Sequence, residues 1–492
     1  MGRKDKVLVE KIANDEYIDK RLIGYYSTPD FICEYIKNRL LEIKSEGKEV
    51  FDPCCGREEM INPFINKNIK AFGIDVVKYK NKYNCKFLNT DFIKFYYDRI
   101  KEKNDTKELN YDYYVLNPPY NCHEVDYIRE NKLKLNNIFK DVGTHNMYSM
   151  FISAIIDLSK AGAVIGIVTQ DSFLSSKSYE GLRKKILRTC SIHEITMCPR
   201  DLFINQGADV RTSILILQKG VNFQGNIVVN NRSTSTKEFK CNLAYQNNNI
   251  YKLKDIILNG EKDNYEFVIK CPSDIKALFN YSRLDEKFRC ISGISTGNDK
   301  RYLSKEKKEP FIIPFYKNPG RDKFYTKKFM YINKNFLTLG REIPNFIVRN
   351  KEFIYKPGII CSSMGISFSA CRLPSYSTFG VNACIICDEE DIYWLLAYLN
   401  STLVTYLVRG VLIRSNMITS GYVSRIPLIN FSEEDKIMLS KLGMHAYEGV
   451  KENKDISHIL DNIDTLVNKG AKITDETIAY IYNFKKELIK KT

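Results

Sequence analysis

The tetrapeptide Asn117-Pro118-Pro119-Tyr120 has the residue types needed to hold a planar amino group. Its two prolines leave few backbone N–H donors, so the carbonyl oxygens of the loop can face a ligand. The side-chain oxygen of Asn117 and the carbonyl oxygen of Pro118 can together accept both hydrogens of an amino group. Those bonds would direct the nitrogen lone pair toward an electrophile, while the ring of Tyr120 offers a stacking face for a planar base. For these four residues alone, a tight turn after a strand is the alternative interpretation.

Three acidic positions upstream of this motif are suited to a nucleotide-like ligand. The sequence DPCCG at 52–56 combines a strand end with a glycine turn, which lets backbone approach such a ligand. Asp75 follows the next predicted strand and is placed to accept hydrogen bonds from ribose hydroxyls. Asp91 follows the third strand, where it would either bind an adenine amino group or cap the following helix.

Alternating strands and helices would bring these motifs together. Apolar runs predict strands at 49–51, 71–75, 86–88, 113–116, 163–169, 192–196 and 213–218, and helices at 59–67, 148–159 and 179–189. This alternation indicates a mainly parallel sheet that is covered on both faces. Ligands of such sheets bind beyond the carboxyl ends of the strands, so the motifs should converge at one edge.

Composition indicates two or three domains and a polyanionic partner. The 492 residues carry a net charge of +16, and residues 271–430 alone hold 23 Lys and Arg against 13 Asp and Glu. This local excess favours nucleic acid as a partner, with solubility as the alternative. The N-terminus has no apolar signal core, and apolar runs are far shorter than the ~20 residues that span a bilayer, so we expect a cytoplasmic protein. The cysteines should stay reduced and bind no metal, because Cys384 and Cys387 form a C-x-x-C pair without a second pair.

The order and spacing of the motifs resemble the gamma class of adenine-specific DNA methyltransferases with a TaqI-like target-recognition domain. The resemblance rests on GYYSTP at 24–29, VFDPCCG at 50–56, GID at 73–75, TDF at 90–92, NPPY at 117–120, NMYSMF at 146–151 and DLFINQGADVRTSILILQK at 201–219. Looser matches follow in GISTGNDKRYL at 293–303, FGVNAC at 379–384 and SGYVSRIPL at 420–428. The resemblance therefore covers roughly residues 24–430 and is strongest through Lys219.

The resemblance implies an α/β fold with a Rossmann-like, mixed, mainly parallel seven-stranded methyltransferase sheet in residues 1–235. An α+β target-recognition domain would occupy 236–432, and a helical segment 433–492. The implied reaction is methyl transfer from S-adenosyl-L-methionine to N6 of an adenine flipped out of double-stranded DNA. The implied cofactor-binding residues are Tyr26, Thr28, Pro29, Asp52, Gly56, Asp75, Asp91 and Phe151. The implied catalytic residues are Asn117, Pro118, Pro119, Tyr120 and Phe203, the last stacking on the flipped base.

The same resemblance suggests a monomer that binds DNA and no membrane, and that could work with a separate restriction endonuclease. We expect no cutting activity of its own, because about 23 residues precede GYYSTP and no nuclease motif is evident.

One departure from the family pattern concerns the cofactor loop. The family sequence D-P-x-C-G-[ST]-G has a second glycine, but here Gly56 is followed by Arg57 and Glu58. A side chain there could crowd the methionine end of the cofactor or change the backbone, because non-glycine residues rarely adopt positive φ. This departure motivates one alternative, a catalytically impaired DNA-binding protein. Methyltransferases that modify a protein glutamine or RNA are the other alternative, since their targets are also planar amines and some carry NPPY.

Overall fold

The chain forms two compact units. The first ends at Lys270, and the second begins at Cys271. The computed structural model describes residues 25–101, 108–120, 124–221, 225–364, 367–412 and 417–490. The division falls later than the predicted boundary between residues 235 and 236. Phe267 explains the difference, because its side chain is fully buried in the core of the first unit and its N–H donates to the carbonyl oxygen of Leu174 at 2.7 Å.

A mixed sheet forms the centre of the first unit. Within the described residues its strands are β1 (Glu49–Asp52), β2 (Lys70–Asp75), β3 (Lys86–Asn89), β4 (Tyr113–Leu116), β5 (Val164–Gln170), β6 (Cys190–Met197), β7 (Thr212–Lys219), β8 (Ile227–Asn230) and β9 (Ile250–Tyr251). Their order is β3-β2-β1-β4-β5-β7-β6-β8-β9. Strands β1 to β5 pair in parallel, whereas β7 is antiparallel to both β5 and β6. All seven predicted strands form, but the sheet is larger than predicted because β8 and β9 extend it beyond β6.

Helices surround this sheet. They are α1 (Asp30–Ile43), α2 (Asn62–Ile65), α3 (Phe92–Lys101), α4 (Glu124–Glu130), α5 (Lys132–Ile138), α6 (Met147–Leu158), α7 (Glu180–Thr189), α8 (Thr236–Ala244) and α9 (Leu253–Ile256). The predicted helix at 59–67 is reduced to the single turn α2. Glu58 before it and Asn68 after it both have positive φ, and Pro63 fits only the first turn of a helix.

Helix α1 is fixed against the centre of the sheet. Strand β5 is an almost continuous buried apolar run, and a Cβ at its Gly166 would lie 2.4 Å from the side chain of Ile36. The buried carboxylate of Glu194 accepts hydrogen bonds from Arg39 at 2.8 Å and from the hydroxyl of Tyr35 at 2.7 Å. These contacts hold residues 25–29, which lead into α1, at a defined place near the sheet.

The second unit contains two small sheets and a set of helices. Its strands are β10 (Arg289–Ile291), β11 (Leu303–Ser304), β12 (Phe311–Tyr316), β13 (Phe329–Asn333), β14 (Gly358–Cys361), β15 (Ala370–Leu373), β16 (Thr378–Phe379) and β17 (Cys384–Ile386). Their orders are β10-β17-β14-β15 and β11-β13-β12-β16. Its helices are α10 (Ser273–Leu278), α11 (Leu284–Lys287), α12 (Asp299–Tyr302), α13 (Phe336–Glu342), α14 (Glu389–Leu399), α15 (Thr402–Tyr406), α16 (Ser420–Val423), α17 (Glu433–Lys451), α18 (Ser457–Ala471) and α19 (Asp475–Lys490).

The C-terminal helices are an integral part of the second unit rather than a separate segment. A Cβ at Gly443 of α17 would lie 2.1 Å from the carbonyl oxygen of Tyr393, so α17 and α14 pack at close range. The carboxylate of Asp464 in α18 accepts the N–H of Thr402 at 2.7 Å. Among the described residues, no single helix has the length and apolarity to cross a membrane. Helices Glu389–Leu399 and Thr402–Leu412 pass that test only as a pair, which is bent by 67°.

Candidate active site

The candidate site lies where the strand order of the large sheet reverses, between β1 and β4. Open α/β sheets bind ligands at this point, beyond the carboxyl ends of the strands. Strand β1 ends at Asp52 and strand β4 leads into Asn117. The Sγ of Cys54 donates to the carbonyl oxygen of Asn117 at 3.5 Å, which joins the two loops. The structure therefore brings the DPCCG and NPPY motifs together at one edge, as the sequence predicts.

The side chain of Asn117 is held by three hydrogen bonds. Its Nδ2 donates to the carbonyl oxygen of Tyr26 at 3.1 Å and to Oγ1 of Thr28 at 3.0 Å. Its Oδ1 accepts the hydroxyl of Tyr120 at 2.7 Å. An amide oxygen can accept two hydrogen bonds, so Oδ1 can bind an amino hydrogen in addition to this hydroxyl. Because Nδ2 is bound to Tyr26 and Thr28, the amide cannot turn over, and its Oδ1 stays in position to accept hydrogen bonds.

Tyr120 and Phe203, the two rings predicted to stack on a base, lie in the core of this structure. The side chain of Tyr120 is 2% exposed and contacts Tyr148 edge to face, with ring centroids 6.5 Å apart. Phe203 is fully buried and contacts Tyr26 edge to face at 6.3 Å. In this structure Tyr120 contacts Asn117 through its hydroxyl, which also lies 3.3 Å from the carbonyl oxygen of Val168. Stacking on either ring would require the ring to leave the core, and it stays a prediction.

The turn that follows β1 is bound to the end of β2 through Gly56 and Asp75. Gly56 has a φ of +51°, and its N–H donates to Oδ2 of Asp75 at 2.9 Å. The other oxygen, Oδ1, accepts the N–H of Val77 at 2.9 Å. Burial nevertheless raises the pKa of Asp75 to about 6. Burial also raises the pKa of Asp52, whose side chain is 1% exposed, well above its usual range. Two buried carboxyl groups thus lie at the edge where a ligand with donors or positive charge would bind.

Asp91 adopts the capping role that the sequence left open. Its Oδ1 accepts the N–H groups of Ile93 at 2.8 Å and Lys94 at 3.3 Å, at the start of α3. Its Oδ2 accepts the hydroxyl of Tyr127 at 2.8 Å. Contact with an adenine amino group therefore remains a prediction for this residue. Phe151 of α6 is buried, and its ring centroid lies 4.8 Å from that of Phe92.

Glu58 occupies the position of the missing glycine and adopts a backbone conformation that favours glycine. Its φ is +75°, in the left-handed region that side chains rarely adopt. Its fully buried carboxylate accepts the N–H groups of Asn84 and Cys85, each at 2.8 Å, and pairs with Lys80. These contacts compensate the strain, so the turn persists with a side chain present. Whether this side chain crowds the cofactor or changes the backbone relative to the family stays a prediction.

Two further residues at this edge were not singled out from the sequence. Glu59 accepts hydrogen bonds from the hydroxyls of Tyr25 and Ser27, the second at 3.0 Å. Gln206 exchanges two 2.8 Å bonds with the backbone of Ser27. The segment containing Gln206 matched the family pattern, but that match pointed only to Phe203. Neither contact follows from local spacing, because the partners are far apart along the chain.

The chain belongs to the N-6 DNA methylase family, whose sequence pattern matches residues 6–277. It is 24% identical over 224 residues to the type II methyltransferase M.HincII of Haemophilus influenzae, a match that covers 43% of this chain and 40% of the relative. It is also 24% identical over 243 residues to the methylase subunit of the type I restriction enzyme MjaIX of Methanocaldococcus jannaschii, covering 45% and 42% of the two chains. The match thus spans about two fifths of the length of these curated relatives.

Solved structures extend the similarity in fold to most of the chain. The DrdV–DNA complex matches with a TM-score of 0.56 and 13% identity, over 91% of this chain and 60% of that one. A nuclease-deletion mutant of the type ISP restriction-modification enzyme LlaGI, in complex with a DNA substrate mimic, also has a TM-score of 0.56 and 13% identity, over 91% and 56%. At this identity the similarity shows a shared fold alone.

Proposed function

We propose that this protein is a site-specific DNA methyltransferase that modifies N6 of an adenine flipped out of duplex DNA. The observation that carries the proposal is the amide of Asn117, oriented by Tyr26, Thr28 and Tyr120 beside the loop that follows β1. Membership of the N-6 DNA methylase family supports N6 of adenine as the target. One relative is named a type II methyltransferase and another the methylase subunit of a type I restriction enzyme, which makes a separate restriction endonuclease a partner to test.

The residues beyond β1 and β2 fit S-adenosylmethionine as the methyl donor. When bound, this cofactor supplies a methyl group on a positively charged sulfur. The buried carboxyl groups of Asp52 and Asp75 suit a ligand that carries positive charge and ribose hydroxyls. Thr28 and Pro29 lie beside the same edge, and Phe151 would pack near the adenine ring. Asp91 would have to bind the adenine amino group while keeping its capping bonds.

Asn117 and Pro118 would bind and orient the target amine. Their oxygens would accept the two N6 hydrogens, which directs the nitrogen lone pair toward the methyl carbon. S-adenosylmethionine bound beside them would supply the methyl group and keep the bonding electrons on its sulfur, and the methylated N6 would release one proton to solvent. Pro119 stiffens the loop, and Tyr120 holds Asn117 in place. Proximity and orientation would provide most of the acceleration, because the reaction requires no strong base before transfer.

The second unit is the proposed DNA-recognition domain. Its exposed basic side chains include Lys300, Arg301, Lys305, Lys307, Arg321, Lys327, Arg341, Arg349 and Lys351. Such side chains can neutralise backbone phosphates, so binding should weaken as salt increases. Flipping the adenine costs a few kcal/mol, and stacking on an aromatic ring would return about 1–3 kcal/mol per base.

The affinity for S-adenosylmethionine should fall at low pH. The pKa of Asp75 is raised to about 6 by burial, so this carboxyl is mostly protonated at pH 5 and mostly ionised at pH 7.5. The ionised form attracts positive charge and accepts ribose hydroxyls, so protonation should weaken binding by about tenfold across this range. Titration calorimetry at pH 5.0, 6.0 and 7.5 measures the change. Asp75→Asn should show a flatter profile, and an equally steep profile in that variant would contradict the assignment to Asp75.

Transfer of labelled methyl groups tests the proposed reaction against the alternatives. The protein is incubated with labelled S-adenosylmethionine and with equal masses of unmethylated plasmid DNA, total RNA or a mixture of proteins. We expect the label on DNA, in a form that DNase releases and protease does not. Label on RNA alone or on protein alone would favour an RNA or a protein-glutamine methyltransferase instead. Binding of DNA without any transfer would favour the impaired DNA-binding protein.

A further inference from the structure

The carboxylate of Glu59 lies directly over the turn of the proposed cofactor loop. Its Oε1 accepts the hydroxyls of Tyr25 and Ser27, and its Oε2 accepts the N–H of Arg57 at 3.1 Å. A Cβ added to Gly56 would lie 3.3 Å from this Oε2 and 2.6 Å from the ring of Tyr25. The side chains of Glu59 and Tyr25 therefore occupy the space immediately above Gly56.

Three donors around Glu59 are arranged to hold a carboxylate. They are the hydroxyls of Tyr25 and Ser27 and the N–H of Arg57, and we call them the cradle. Two hydroxyls from the segment before α1 and one backbone N–H from the loop itself converge on one carboxylate, as they would on a carboxylate ligand. The cradle lies at the turn where a side chain would crowd the methionine end of S-adenosylmethionine. That end carries a carboxylate of the same shape as the one that Glu59 places there.

The acidic groups around the cradle also disfavour a ligand carboxylate there. The buried carboxyls of Asp52 and Asp75 lie close enough to Glu59 that its charge helps to raise the pKa of each, after the larger effect of burial. The charges of Glu59 and of ionised Asp75 would repel a ligand carboxylate there, and the positive charge of Arg57, which acts on Tyr25, offsets part of that repulsion. The neighbouring Glu58 fixes the backbone through Lys80, Asn84 and Cys85, so Glu59 can leave the cradle only by rotating its side chain.

We propose that Glu59 is a specificity-determining residue that competes with the amino-acid carboxylate of the cofactor for the cradle. The proposal rests on the proposed function, because it concerns the same ligand site. It predicts that the protein binds S-adenosylmethionine more weakly than it would if Glu59 did not fill the cradle. It also predicts that the protein discriminates little against, or favours, adenosyl sulfonium ligands that lack a carboxylate.

Two ligands that differ only in the carboxylate test the proposal. S-adenosylmethionine and its decarboxylated form are titrated by calorimetry into the wild-type protein and the variants Glu59→Ala and Glu59→Gln. In Glu59→Ala the ratio of the two dissociation constants should shift by at least about tenfold in favour of S-adenosylmethionine. Glu59→Gln, which loses the charge but still fills the cradle, should shift it less. Adding Tyr25→Phe to Glu59→Ala should remove part of the gain, because the ligand carboxylate then loses a donor.

The outcomes separate the proposal from the function on which it rests. Glu46→Ala is the matched control, since Glu46 is exposed at the turn before β1 and its removal should leave the ratio unchanged. Clear binding with the same ratio in wild type and Glu59→Ala would overturn the role of Glu59 and leave the methyltransferase site standing. If neither ligand binds to wild type or to either Glu59 variant, both proposals fail. If Glu59→Ala does not fold, an unchanged ratio in Glu59→Gln overturns the proposal.

Discussion

Asn117→Ala is expected to reduce methyl transfer to DNA by at least about 100-fold, a loss comparable to removing one essential hydrogen-bonding group from other active sites. The substitution removes the oxygen that would accept an N6 hydrogen, and no neighbouring residue restores it. DNA binding should stay within about threefold of wild type, because sequence-independent affinity comes mainly from contacts to phosphates. Initial rates with labelled S-adenosylmethionine and gel-shift titrations of the same preparation measure the two quantities.

The matched controls for Asn117 separate chemistry from structure. Its side chain also binds Tyr26, Thr28 and Tyr120, so the melting temperature of each variant is compared with that of wild type. Asn117→Asp keeps an acceptor for the hydroxyl of Tyr120 and should retain more activity than alanine. Asn81→Ala, an exposed substitution in the first unit, should have no effect. Transfer at the wild-type rate by folded Asn117→Ala would refute the assigned role.

Lys80→Ala is expected to lower the free energy of unfolding of the first unit by about 3 kcal/mol, because it leaves a buried carboxylate without its counter-ion. That carboxylate belongs to Glu58, which is fully buried and has a φ of +75°. Its two remaining partners are the N–H groups of Asn84 and Cys85. Denaturant titration followed by circular dichroism measures the loss. The exposed neighbour Lys82 provides the control, and Lys82→Ala should change stability by no more than about 0.5 kcal/mol.

A second substitution at residue 58 distinguishes a charge effect from general damage. In the double variant Lys80→Ala with Glu58→Gly, the buried charge is gone and glycine adopts positive φ at little cost. This double variant should therefore be more stable than Lys80→Ala alone. Equal stability of the two, or a stability of Lys80→Ala close to that of wild type, would show that the ion pair does not support the turn.

Local sequence patterns predicted the positions of the strands and the residues at the strand ends. The apolar runs gave all seven strands from β1 to β7, and the carboxyl ends of β1 and β4 fixed where Asp52 and Asn117 would meet. The strand-end position of Asp75 likewise followed from alternation alone. These features need only the periodicity of buried strands and the parallel order of the sheet.

The contacts that were missed join residues far apart in the sequence. Lys80 and Glu58 are 22 positions apart, and Gln206 and Ser27 are 179 apart, so no motif spacing links them. The positive φ of Glu58 could not be expected from its residue type, because it depends on burial and on Lys80. The burial of Tyr120 and Phe203 depends on packing with Tyr148 and Tyr26. The unit boundary depends on Phe267, which joins the first core through tertiary contacts.

Sequencing of modified DNA tests the central claim most directly. The wild-type protein and Asn117→Ala are each expressed in a host that lacks adenine methylation, and the genomic DNA is read by a modification-sensitive method. We predict N6-methyladenine within one short sequence motif in DNA from cells with the wild-type protein, and none at that motif with Asn117→Ala. Unmodified adenines in both strains, with the wild-type protein folded and binding S-adenosylmethionine, would contradict the assignment of DNA as the substrate.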